Sequence, residues 1–149
     1  MSRLLYGKRR ELKKMSYYDL YSKETKFENL KGKTLTEIKG LEAGSSEVTF
    51  VCSDGSEFFM YHPQDCCESV NIEDVIGDVN DLIGSEILVA EERTSDQNPS
   101  DAKKETIEYQ DSFTWTFYEL ATNKGSVTVR WYGESNGYYS ESVDFAKTK

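Results

Sequence analysis

A flat heteroaromatic ring stacks on aromatic side chains, and a guanidinium offers a phosphate a two-pronged hydrogen bond. The segment from Asp111 to Phe145 contains the residue types for both contacts. Phe113, Trp115 and Phe117 alternate with Thr114, Thr116 and Tyr118, and Arg130 lies in a second alternating run, Val127 to Tyr132. Asn123, between the two runs, has an amide able to read a base edge or a ribose hydroxyl. Phe113, Trp115, Phe117, Asn123 and Arg130 therefore suit a nucleotide-like small molecule. The same aromatics also suit burial between two β layers or at a subunit interface, because aromatic strands are common in cores.

Other chemistries find weaker support. His62 is the single histidine, and His62-Pro63-Gln64-Asp65-Cys66-Cys67-Glu68 gathers imidazole, carboxylate and thiol. Zinc sites usually space paired cysteines two residues apart. Adjacent cysteines on an extended chain are expected to point to opposite sides, which makes a poor chelate. Burial of one cysteine as a small hydrophobe is the simpler expectation, with His62 lining a loop or pocket. Asp65, Glu68, Glu73, Asp74, Asp78 and Asp81 lack the glycine and terminal glutamate of a calcium loop, and read as a solvated acidic face. No phosphate-binding glycine loop, dinucleotide fingerprint or nucleophile elbow is present. The expectation is a non-enzymatic binder with no cofactor and no metal.

The elements that must position these residues read mostly as strands. From Thr34 onward, Val48, Phe50 and Cys52 alternate with their neighbours, Asp54-Gly55 signals a hairpin, and Glu57 to Tyr61 returns. Ser69 to Gly77 and Asp78 to Gly84 each end in Ile-Gly and read as Asp-capped turns or one broken helix. Ser85 to Glu91 suggests a strand. The polar stretch Thr94 to Lys104, with Pro99, reads as a mobile loop. The two aromatic runs turn at Asn123-Lys124-Gly125, and a second turn at Asn136-Gly137 leads into Tyr138 to Phe145. The expected fold is α+β, predominantly antiparallel β, with a C-terminal three-stranded meander and short helices. If Thr122 pairs with Gly125, Phe117 lies opposite Arg130 and Trp115 opposite Tyr132. A three-residue loop would flip that register.

The 149 residues suffice for one domain with a real core. Net charge is −9, unevenly placed: residues 1–33 hold ten Lys/Arg against four Asp/Glu, and residues 34–149 hold eight against twenty-three. The division expected is a basic N-terminal helix or arm over 1–33 and a single β-rich ligand-binding domain over 34–149. Leu5, Leu12 and Met15 recur at helical spacing among Arg9, Arg10, Lys13 and Lys14. An acidic body argues against DNA, which needs a basic face to displace counterions. No secretory apolar core opens the chain and no apolar run approaches membrane-spanning length. Three cysteines and no such signal fit a reducing cytoplasm.

Two stretches resemble those of a known family. They are Met60-Tyr61-His62-Pro63-Gln64-Asp65-Cys66-Cys67-Glu68-Ser69-Val70 and the run from Phe113 to Ser140, which contains Phe113-Thr114-Trp115-Thr116-Phe117-Tyr118 and Val127-Thr128-Val129-Arg130-Trp131-Tyr132. With them the chain, from about Phe27 to Phe145, resembles small phage proteins, the first-described type of Thoeris anti-defence sponge. Residues 1–26 have no counterpart. The resemblance implies sequestration, without cleavage, of the cyclic ADP-ribose isomer that bacterial TIR-domain enzymes release. It implies uptake by some members of cyclic di- or trinucleotides from a second defence system (CBASS), and assembly as a dimer or hexamer in the cytoplasm of an infected bacterial host. It further implies that Phe113 stacks on adenine, Asn123 makes the polar contact, and Arg130 and Arg93 meet the phosphates. His62 and Gln64 would close the pocket from a neighbouring subunit. Two other readings stay open: a hydrolase of such signals using Asp65, Glu68 or Glu134, and a module whose aromatics meet another polypeptide.

Overall fold

The structure is a computed structural model that describes residues 15–149. The first 14 residues of the expected N-terminal arm, among them the basic stretch Arg9–Lys14 and the helical spacing of Leu5 and Leu12, lie outside the described residues. Eight strands form two four-stranded sheets: β1 Leu35–Lys39, β2 Glu47–Cys52, β3 Glu57–Tyr61, β4 Ser69–Ile76, β5 Val89–Ser95, β6 Ser112–Thr122, β7 Gly125–Ser135 and β8 Asp144–Lys147. The first sheet has the order β1-β2-β3-β8 and the second β4-β7-β6-β5, with every pairing between these strands antiparallel. Among the described residues helix is confined to short pieces, Tyr17–Tyr21 and Lys104–Ile107, with a 3₁₀ turn at Phe27–Leu30 before β1. The expectation of a predominantly antiparallel β fold with short helices holds.

Alternation places the core between the sheets. Val48, Phe50, Phe58, Met60 and Phe145 from the first sheet meet Val70, Ile72, Tyr118, Leu120, Val127, Val129 and Trp131 from the second. Phe58 stacks on Phe145 at 5.4 Å, and Trp131 Nε1 donates to Met60 Sδ at 3.2 Å. Cys52 is buried in this core as a free thiol. The Asp54-Gly55 hairpin forms as expected; Gly55 takes φ +89°, the left-handed region glycine enters at no steric cost.

Three expectations need correction. The meander is not three-stranded: β6 and β7 form the long hairpin, but the final strand leaves for the first sheet and pairs with β3. The outer edge of β7 is already taken by β4 over Ser69–Ile76. Ser69–Ile76 is therefore a strand and not a turn or helix, whereas Val79–Leu82 is a 3₁₀ turn with Asp78 as its cap. Thr94–Lys104 is not a free loop. It ends β5 and begins a segment, 96–111, that folds over the outer face of the second sheet.

Both crossings between the sheets are fastened at one point. His62 Nε2 meets Glu68 Oε2 at 2.7 Å, within the β3–β4 crossing, and His62 Nδ1 meets the carbonyl of Ser142, in the β7–β8 crossing, at 2.6 Å. Glu68, with no side-chain exposure, also accepts the backbone N–H groups of Asp65 and Cys66 and the Gln64 amide. Burial pushes the Glu68 carboxyl up, but the His62 bond and these backbone donors outweigh it and hold it at about 2. A carboxyl depressed on folding stabilises above its unfolded value, near 4.3, and that contribution fades as pH falls through the folded value. Denaturant unfolding between pH 5 and pH 2 should therefore show stability falling steeply across this window. The Glu68→Gln variant should give a flatter curve there, and parallel curves would refute the assignment.

Candidate functional site

Hairpin register decides what the outer face of the second sheet displays. Thr122 pairs with Gly125, Phe117 with Arg130 and Trp115 with Tyr132, the first of the two registers open from sequence. Thr122 Oγ1 reaches the Asp81 carbonyl and also accepts the Lys124 N–H, which pins the two-residue turn. Phe113, Trp115, Phe117, Arg130 and Tyr132 then share one face, joined by Arg93 from β5, opposite Phe117. Phe113 stacks on Tyr132 at 6.2 Å with planes 26° apart, and Trp115 lies 4.7 Å from Tyr132. The Arg93 guanidinium sits 3.9 Å over the Phe117 ring and remains exposed.

This face is covered. Ala102, Ile107 and Phe113 pack on Trp115, Phe117 and Tyr132, leaving Trp115 fully buried and Phe113 half-buried. Polar bonds hold the cover. Asn98 and Gln110 exchange two amide bonds of 2.8 Å, Trp115 Nε1 donates to Asn98 at 2.9 Å, and Gln110 donates to the Tyr132 hydroxyl at 3.0 Å. The Tyr132 hydroxyl donates in turn to Glu134 at 2.8 Å; burial, with Glu134 alongside, pushes it up to about 12.

Arg130 departs furthest from expectation. Its Nε and Nη2 donate to Glu73 Oε1 at 2.8 and 2.7 Å, and its Nη1 donates to Asp101 Oδ1 at 2.8 Å. Asp74 lies at 3.9 Å and the Trp115 ring at 5.6 Å. A guanidinium this deeply placed needs a counter-ion, so carboxylates occupy the fork that was expected to be free for phosphate. Glu73 reaches it through a β-bulge: register slips between Ile72 and Asp74, setting both Glu73 and Asp74 against Arg130. The parity break Val70, Ile72, Val75 is the sequence signal for that bulge. Asp101, Asn98 and Gln110 give none, because their contacts come from one irregular segment.

The other expected residues divide. His62 and Gln64 belong to the Glu68 fastening, at the same end of the second sheet as Phe113: Ser69, next to Glu68, pairs with Glu134, which pairs with Phe113. Asn123 is exposed at the opposite end, ten residues along β6, roughly 30 Å away at about 3.3 Å per residue. Within one chain, Asn123 and Phe113 cannot touch one small ligand. Cys66 and Cys67 do not point apart: residues 65–68 bend around Glu68, and the two sulfurs are joined as a disulfide. Among the described residues no group of three or more His, Cys, Asp or Glu is placed to hold a metal, and no helix is long and apolar enough to cross a membrane.

A separate cleft of about 420 Å³ lies between the 24–28 segment and the start of β8, lined by Glu24, Glu28, Glu92 and Asp144 with Lys26. Burial, then Glu24, raises the Asp144 carboxyl, and the surplus of carboxylates makes this cleft hostile to anions.

No curated protein and no solved structure matches the chain. Residues 28–145 match the model of a family described as a domain of unknown function, DUF7448. That match runs from the 3₁₀ turn before β1 into β8, so it spans both sheets and the aromatic face, and the chain belongs to the DUF7448 family.

Proposed function

We propose that this protein binds and sequesters a small ligand joining a flat heteroaromatic ring to phosphates, foremost a cyclic ADP-ribose isomer, and holds it without cleavage. In this reading it acts in the cytoplasm of a phage-infected bacterium as a sponge that blocks Thoeris-type immunity, with cyclic di- or trinucleotides as a second ligand class. The observation that supports it is the outer face of the second sheet. The Phe113–Tyr132 stack and two guanidiniums share that face, Arg130 beneath a cover held largely by polar bonds and Arg93 exposed over Phe117. A sponge needs uniform affinity and no group that favours a transition state. Asn123 enters such a site only from another copy of the chain, so assembly as a dimer or hexamer is part of the proposal.

The hydrolase reading loses support from two of its three carboxylates, Asp65 being exposed. Glu68 is buried and saturated with donors, and Glu134 accepts the Tyr132 hydroxyl. The decisive experiment incubates the protein with the cyclic ADP-ribose isomer, removes free ligand, heats, and identifies what is released. Intact cyclic ligand is expected, and ADP-ribose would overturn the proposal. Phe113→Ala should weaken binding at least tenfold with only a small change in melting temperature, since this ring is half-buried. Unchanged affinity in a folded Phe113→Ala protein would remove the stacking platform from the site.

A further inference from the structure

The two carboxylates that hold Arg130 differ in kind. Glu73 comes from β4, its side chain is 3% exposed, and Lys103 grips it twice: the N–H of Lys103 donates to the Glu73 carboxylate at 3.1 Å and Lys103 Nζ donates to the Glu73 carbonyl at 2.9 Å. Asp101 reaches Nη1 from the covering segment, and its side chain is 69% exposed. One partner is built into the sheet and the other is laid on from outside.

We infer that Asp101 holds the place of a ligand phosphate: Arg130 Nη1, with Lys103 beside it, forms an anion site that the chain's own carboxylate closes until a phosphate displaces it. This rests on the ring-and-phosphate ligand proposed above. Asp101 gives Arg130 one oxygen, Oδ1 on Nη1 at 2.8 Å, and a phosphate oxygen can accept that same charge-assisted bond. Exchange of one for the other leaves Glu73 in place and strands no buried charge, whereas loss of Glu73 would. The bond from Arg130 keeps the Asp101 carboxyl below its ordinary range, so it remains an anion throughout the neutral region. Geometry also couples the two halves of the ligand. Ala102 follows Asp101 in the chain and packs on the aromatic cluster, so lifting Asp101 lifts part of the cover from the face a ring would occupy. Phosphate entry and exposure of the stacking face become one movement.

Inorganic pyrophosphate is the probe. Titration calorimetry should show weak binding to the wild-type protein and at least fivefold tighter binding to Asp101→Asn, which keeps the side chain's shape but removes its charge. Adding Lys103→Ala to Asp101→Asn should reverse much of that gain. In the wild-type protein, pyrophosphate should speed amide hydrogen exchange across residues 98–110, a readout that needs no variant. Equal or weaker binding by Asp101→Asn, or no binding to either form, overturns the inference. If the cyclic ADP-ribose isomer binds and pyrophosphate neither binds nor competes, the sponge reading stands and the Asp101 site falls. If pyrophosphate binds as expected and the cyclic ligand does not, the Asp101 site stands and the sponge reading falls.

Discussion

Arg130→Met should lower stability by about 3–5 kcal/mol, the range for removing one member of a buried ion pair. For a chain of this size that corresponds to a fall in melting temperature of roughly 6–20 °C. The loss arises less from the missing attraction than from what stays behind. Glu73 has almost no exposure and is left with one backbone donor for its carboxylate, that of Lys103. Asp101, being exposed, returns to water and contributes little. A second substitution separates these effects: Glu73→Leu combined with Arg130→Met takes both charges out together. Replacing a buried pair by apolar side chains of similar volume is often neutral or stabilising, so the double variant should recover most of the loss. Chemical denaturation of the four proteins in the cycle gives the coupling directly. A cost below about 1 kcal/mol for the single variant would mean that the pair behaves as a surface salt bridge, and the burial argument would fail.

Trp115→Ala should have a comparable cost, about 3–5 kcal/mol as for other buried tryptophans, but a different signature. Trp115 faces away from the inter-sheet core. Its indole is clamped between the sheet and the covering segment, with Asn98 on its N–H and Tyr132 and Arg130 alongside. Its removal takes away the apolar plate on which Ala102 and Ile107 rest. Amide exchange over residues 98–110 should accelerate by an order of magnitude or more while the strands keep their protection, the pattern of local rather than global opening. Uniform acceleration across both sheets would instead place Trp115 in the main cooperative unit. It would also deny the cover an independent opening.

Alternation along β6 and β7 is readable because each residue faces the opposite way from its neighbour. The two possible hairpin registers follow from that alone. What chooses between them is a long-range bond, Thr122 to Asp81, to which neighbouring residues give no clue. The place of the final strand is hidden for a related reason. Asn136-Gly137 is a good turn, and nothing in its surroundings shows that β4 already occupies the edge of β7. The Ser69–Gly77 stretch does not read as a strand because a bulge breaks period two, and a broken period resembles a turn. Among the site residues, the aromatics and both arginines are legible by type. Their counter-ions are not, because Asp101, Asn98 and Gln110 come from a segment with no periodicity at all.

The bulge in β4 has a further consequence. Val70 and Ile72 point inward before it, and Val75 packs inward after it. Strike out position 73 and the remaining residues alternate without a fault. In most strands, shortening by a single residue turns one half over and sends its apolar groups into solvent. Here the pleat carries one residue too many, and the surplus member is the acid that neutralises the buried cation. The strand's length is thus dictated by a charge on its neighbour and not by the sandwich it helps to build.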